Sequence, residues 1–305
     1  MEKILISHNR HWEKPYSGLY PRQVFSKLVR QLSAKHIQVL QGIRRSGKST
    51  VFKLMINHLM ASENPMEILY LNLEDPFFIK FSHSPEKLYE VIDTARKLTG
   101  KSIRYLFLDE VQAIDGWEKY VKTVYDNEVF EKIFITGSNA SLLNGEFATL
   151  LTGRYLSSMV YPLSLSELLA IKNITSYVGM VRQKADVLAL VDDMLRYGSF
   201  VEVFDSDENL KREIVSTYYD AILLKDCVSN NQIRDIKRFR ELSYYLISNI
   251  TATYSYSSLG KAVGIHDKSA RDFVQYLQQA YLLCELRLFS WSVKEQQNNR
   301  KKPYV

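Results

Sequence analysis

The chain has 305 residues, 46% hydrophobic and 24% charged, an ordinary globular composition with room for two or three domains. Two cysteines and six scattered histidines exclude a disulfide framework and a zinc-type ligand cluster. No apolar run approaches the ~20 residues of a membrane span and no signal-peptide core opens the chain, so a cytoplasmic protein with no membrane partner is expected, with Cys227 and Cys284 as buried, reduced thiols.

The net charge of +6 is unevenly spread: +9 over residues 1–60, −6 over 61–204 and +3 over 205–305. The basic head suits a polyanion, a nucleotide or a nucleic acid backbone; a solvated basic surface is the plainer alternative.

Val24, Phe25, Leu28, Val29 and Leu32 recur at helical spacing and predict a helix before a short strand at Ile37–Gln41. That strand runs into Gly42-Ile43-Arg44-Arg45-Ser46-Gly47-Lys48-Ser49-Thr50, which fits the phosphate-binding pattern G-x-x-x-x-G-K-[ST] throughout. The glycines let the backbone curl so that successive N–H groups face phosphate oxygens. Lys48 reaches the β- and γ-phosphates, the Ser49 hydroxyl takes a Mg²⁺ position, and the following helix offers its N-terminus to the anion. The backbone does the cradling, so Arg44 and Arg45 are expected to face solvent, a neighbouring subunit or nucleic acid.

The α/β rhythm continues with a strand at 67–73, a helix at 85–98 and a strand at 103–110 ending in Asp109-Glu110. An acid pair at the end of a buried strand is where a nucleotide's metal would sit: Asp109 holds Mg²⁺ and Glu110 polarises the attacking water. The plainer reading is an acidic helix start. A helix at 117–127 precedes a strand at 132–136, whose polar end Thr136-Gly137-Ser138-Asn139 can sense the γ-phosphate, or merely cap a helix. Ser138 and Asn139 are not separable in that role. Arg154, before a strand at 154–161, is read either as an arginine finger toward its own or a neighbour's nucleotide or as a structural ion pair. Parallel strands with crossover helices imply a doubly wound α/β sheet with its ligand at the strands' C-terminal ends.

Beyond Pro162 the pattern is helical to residue 227, with a turn at 197–199. Helices at 235–250, 257–263 and 267–283 then surround a turn at Gly264, which is helix-turn-helix spacing. Leu259, Ala262, Val263, Ile265, Ala270, Phe273, Val274 and Leu277 would form its core, with Lys268, Ser269, Arg271 and Gln275 presented to DNA or to a protein neighbour. Residues 284–291 alternate like a strand or wing.

Gly42-x-Arg44-Arg45-x-Gly47-Lys48-Ser49, Leu108-Asp109-Glu110-x-Gln112, Trp117, Thr136-Gly137-Ser138, Gly153-Arg154-Tyr155 and Pro162-Leu-Ser-x-Ser-Glu167-Leu together resemble the prokaryotic AAA-type ATPases fused to a domain of unknown function. Leu224-Lys225-Asp226 and Ala280-Tyr281-Leu282-Leu283 extend the resemblance over nearly the whole chain. It implies a P-loop NTPase core over 1–163, an α-helical lid or linker over 164–230 and a winged-helix domain over 231–305. Such proteins usually continue into a domain similar to restriction-type nucleases, and here the chain ends first. The expected activity is a Mg²⁺-dependent ATPase, with ATP and Mg²⁺ bound, DNA as a partner of the winged helix, and a homo-oligomer. The alternative is a nucleotide-gated DNA- or protein-binding regulator with little turnover.

Overall fold

The computed structural model describes residues 1–140 and 146–305. It contains two compact units, Met1–Lys211 and Arg212–Val305.

Five strands build the sheet of the first unit: β1 (Ile37–Gln41), β2 (Ile68–Asn72), β3 (Tyr105–Asp109), β4 (Lys132–Gly137) and β5 (Tyr155–Met159). Their order is β2-β3-β4-β1-β5, and every pairing is parallel. Alternate side chains serve opposite faces, because successive Cβ atoms in a strand point to opposite sides. Val39, Leu71, Leu108 and Ile135 enter one core with Val91, Trp117 and Val121. Leu40, Tyr70, Phe107 and Phe134 enter the other with Phe52, Met55 and Leu28. Covered on both faces, the central strands β2, β3 and β4 read as largely apolar runs, whereas the edge strand β5 carries Ser157 and Ser158 and is mostly not buried.

The helices of the first unit are α1 (Glu2–His8), α2 (Gln23–Arg30), α3 (Lys48–Leu59), α4 (Leu88–Thr99), α5 (Trp117–Asp126), α6 (Glu146–Leu151), α7 (Leu165–Ile171), α8 (Tyr177–Arg182), α9 (Lys184–Tyr197) and α10 (Val201–Phe204), while α11 (Glu208–Ala221) crosses the division. The N-terminal α1 has no counterpart among the expected elements. The side-chain amide of Asn9, which follows it, accepts from Tyr70 N at 2.7 Å and donates to Tyr70 O at 3.1 Å, as a neighbouring strand would. His11 and Trp12 both bond Ile68 O at 3.0 Å. The free edge of β2 is thereby covered by side chains.

The second unit continues α11 into a π-helical stretch, Ile222–Ser229, and holds α12 (Ile236–Ser248), α13 (Tyr256–Val263), α14 (Asp267–Gln279) and α15 (Val293–Asn298). Strands β6 (Cys284–Arg287) and β7 (Lys301–Tyr304) pair antiparallel, and Tyr254 bridges to Lys301. Leu259, Val263, Ala270, Val274 and Leu277 are buried as expected; Ile265 and Phe273 are half-buried, and Ala262 is exposed. A Cβ on Gly260 would lie 2.6 Å from Ile265 O, so the tight turn between α13 and α14 admits only glycine there. The strand expected through residue 291 ends at Arg287, leaving Phe289 and Trp291 exposed. Cys227 is buried as expected, and burial pushes its thiol up to about 12; Cys284 is exposed, correcting the expectation of two buried thiols.

Candidate functional site

Three strand ends meet at the C-terminal edge of the parallel sheet: β1 beside β4 and β4 beside β3. The loop at 42–47 leaves β1 and enters α3, whose twelve residues begin at Lys48. Two of its glycines are obligatory. A Cβ on Gly42 would lie 2.1 Å from Val160 O, and Gly47 has φ +94°. Arg45, at φ +66°, takes the left-handed conformation despite its side chain. Left-handed residues between right-handed ones turn successive N–H groups into an anion-binding concavity, and the N-terminus of α3 adds its dipole to the same point.

Lys48 is buried, and its Nζ donates to Gly42 O at 3.0 Å and to Ile43 O at 3.2 Å, so the amine is held at the loop mouth. Glu110 Oε1 stands 4.0 Å from that nitrogen. The Ser49 hydroxyl belongs to the first turn of α3, with Thr50 next to it, both half-buried. Ser46 Oγ is buried with no hydrogen-bond partner among the described residues.

Asp109 is buried, and each of its oxygens accepts a hydroxyl: Tyr70 donates to Oδ2 at 2.7 Å, and Thr136 donates to Oδ1. Thr136 Oγ1 also accepts from Glu110 N at 3.0 Å, tying both acids to the end of β4. Glu110 itself sits at φ +54°, strained for a residue with a side chain. Burial, reinforced by the Asp109 charge and opposed by Lys48, raises its carboxyl above the usual range. Gln112 Nε2 donates to Glu110 Oε2 at 2.5 Å and to Ser138 Oγ at 3.4 Å, so it joins two residues named from sequence. Ser138 and Asn139 are both buried beside this cluster's strand end.

The loop, Asp109, Glu110 and Ser138 are therefore brought together. Arg154 is not. Its carbonyl accepts from Ile37 N at 2.9 Å, at the start of β1, about 16 Å of strand away from Gly42. Its guanidinium pairs with Asp126 at 3.1 Å and donates to Leu150 O at 3.0 Å. A finger onto its own chain's nucleotide is ruled out by that placement. Arg44 turns to Glu74 at 3.5 Å, and Arg45 holds both oxygens of Glu202 at 3.1 Å; neither simply faces solvent. In the second unit Lys268 and Arg271 are exposed on α14, but the Arg271 guanidinium lies 5.1 Å from the centre of the Tyr256 ring.

Sequence reasoning missed Tyr70 and the double role of Thr136. The prior signals were a polar strand end for Thr136 and an unassigned Gln112 in the quoted motifs.

Residues 34–169 match the family described as an AAA domain, and residues 188–305 match a domain of unknown function, DUF8612. The first span contains the loop, the acids and all five parallel strands. With that architecture, the match supports an AAA-type ATPase core. An uncharacterized protein of Methanocaldococcus jannaschii (MJ1544) is 32% identical over 87% of this chain and 59% of its own length. One from Haemophilus influenzae is 30% identical over 86% of this chain and 65% of its own length. The chain thus spans less than two thirds of these relatives. Among solved structures, the Aeropyrum pernix ORC1 protein in complex with DNA aligns over 96% of this chain and 91% of its own, at 15% identity and a TM-score of 0.40, a likeness too distant to carry argument. Among the described residues no helix is long and apolar enough to cross a membrane, and no group of His, Cys, Asp and Glu is gathered for a metal.

Proposed function

We propose that the chain is a cytoplasmic Mg²⁺-dependent ATPase whose nucleotide state moves a helical segment (164–230) and a winged-helix domain (231–305) against a P-loop core (1–163). The observation that carries the reading is Glu110: a half-buried carboxylate with a raised pKa, 4.0 Å from the loop lysine and hydrogen-bonded through Gln112 toward Ser138. A general base wants a pKa lifted toward the working pH, and this environment supplies one.

The donor set fits a metal–polyphosphate: loop N–H groups from Gly42, Ile43, Arg44, Arg45, Ser46, Gly47, Lys48, Ser49 and Thr50, one ammonium, and hydroxyls. Mg²⁺, when bound, neutralises phosphate charge. Ser49 and Asp109 would hold it. Asp109 has about four lone-pair sites. Two hydroxyls occupy two of them, leaving acceptors with which Asp109 would help hold the metal. Lys48 binds phosphate oxygens, Glu110 takes a proton from water, and Ser138 or Asn139 orients that water. Arg154, remote from its own loop, keeps two readings: the structural ion pair it makes with Asp126, or a finger toward a neighbouring copy's nucleotide in a homo-oligomer.

Glu110→Gln should keep ATP binding and lose hydrolysis, whereas Lys48→Ala should lose binding. A wild type that turns over no faster than Glu110→Gln, with Mg²⁺ and added DNA, overturns the enzyme reading. What would then stand is a nucleotide-gated regulator that binds DNA or protein, favoured by the exposed Lys268 and Arg271 on the helix after a glycine-locked turn.

A further inference from the structure

Arg22 is 6% exposed, yet no part of the nucleotide chemistry uses it. Its guanidinium reaches three separated parts of the first unit. Nη1 donates to Ser46 O at 2.9 Å, inside the phosphate loop. Nη2 donates to Tyr161 O at 2.5 Å, in the segment leaving β5. Nε donates to Glu167 Oε1 at 3.1 Å, on the first turn of α7. Glu167 is committed from other directions too: it accepts from Gln23 N at 2.7 Å and closes a capping box with Ser164. Burial works against its charge, but the Ser164 and Gln23 N–H groups and the Arg22 guanidinium hold the carboxyl below its usual range.

The bond to Ser46 has a geometric consequence. In a trans peptide the C=O and the following N–H point to opposite sides, and the described residues contain no cis peptide. With Ser46 O pinned toward Arg22, the N–H of Gly47 is turned away from it, into the concavity of the loop. Gly47 is also the residue whose Cβ would lie 2.7 Å from Arg22 Nη1. One of the motif's glycines therefore makes room for this arginine as well as for a positive φ. Because the guanidinium is matched by a buried carboxylate, its effect on a bound anion is orientation of the loop more than added charge.

We propose that Arg22, held by Glu167, is a positioning residue that fixes the Ser46–Gly47 peptide so that the loop presents its N–H groups to the β-phosphate of a nucleoside diphosphate or triphosphate. The proposal rests on the nucleotide reading above. Only a planar fork with several N–H donors spans these three acceptors, so lysine is an incomplete substitute.

The test uses the full chain, ADP titrated by calorimetry below the melting temperature, melting without nucleotide, and steady-state ATP turnover. Losing a hydrogen bond from a charged group to the loop predicts that Arg22→Gln raises the ADP Kd about tenfold or more. Arg22→Lys should raise it less, and KM for ATP should rise in the same order with kcat changed less than about threefold, the pattern of lost uniform binding. Should Arg22→Gln not fold, Glu167→Gln keeps the guanidinium at Ser46 without its partner and should weaken ADP about threefold. ADP affinity within about twofold of wild type in folded Arg22→Gln, or in Glu167→Gln where the first does not fold, overturns the proposal, even if melting is lowered. A wild type that binds no ADP sinks the nucleotide reading instead.

Discussion

Thr136→Val is the sharpest perturbation of this site, because valine keeps the shape and removes one hydroxyl that makes two bonds. Thr136 is fully buried. Its hydroxyl donates to the Asp109 carboxylate and accepts from Glu110 N at 3.0 Å. A hydrogen bond to a charged group contributes about 1.5–3 kcal/mol, and a buried N–H left without an acceptor costs about 1–3 kcal/mol. The bonds share an atom and do not add in full, so the expected loss is about 3–4 kcal/mol. For a unit of this size that lowers the melting temperature by about 6–16 °C. Thr136→Ser is the control: it keeps the hydroxyl and loses a methyl, at about 1 kcal/mol. Turnover should separate the pair further. Glu110 is held at φ +54°, and without its anchor the backbone can relax toward the right-handed region and carry the carboxylate away. Urea denaturation and single-turnover hydrolysis on the two variants check both statements. A valine variant no less stable than the serine variant would refute the shared-hydroxyl argument.

Three other outcomes follow from the same structure. Burial first, then the Asp109 charge, raises the Glu110 pKa, and the ionised form is the base. In kcat/KM, which reports the free enzyme, hydrolysis should therefore fall with decreasing pH along a limb above the ordinary carboxylate range, and a limb inside that range counts against Glu110 as base. Burial pushes His11 from the ordinary 6.5 down to about 4, against a raising hydrogen bond to Ile68. The unfolded chain takes up a proton that the fold refuses, so stability is intact above about pH 6.5 and falls by roughly 3 kcal/mol as pH drops to about 4. His11→Gln should flatten that window in pH-dependent urea melts, and an unchanged slope rejects the assignment. Finally, Lys268→Glu with Arg271→Glu should weaken duplex DNA binding and reduce its salt dependence. Unchanged affinity at several salt concentrations would leave α14 a packing helix, a role consistent with Arg271 lying over Tyr256.

The central strands were legible because burial on both faces makes β2, β3 and β4 largely apolar, and the phosphate loop was legible because its chemistry is consecutive in the chain. What escaped was whatever depends on register. Tyr70 pairs with Phe107, and that pairing, invisible in either segment, brings its hydroxyl to Asp109. Asn9 and His11 belong to no local motif, because their partners are the backbone of β2. Arg22 lies 24, 139 and 145 residues from its three acceptors, and no local pattern encodes such a meeting.

Arg154 is the instructive case, since strand polarity alone argues against its reaching the loop of its own chain. In a parallel sheet, residues that follow strands gather at one edge and residues that precede them gather at the other. Gly42, Glu110 and Ser138 follow β1, β3 and β4 and converge; Arg154 precedes β5 and pairs with the start of β1. The same rule explains why the supporting residues are found where they are. Tyr161 lies just past β5, at the loop's edge, so the segment running from there to Glu167 can meet Arg22 behind Ser46. The motif around Pro162 and the phosphate loop are thus two ends of one device, joined by an arginine that neither motif contains.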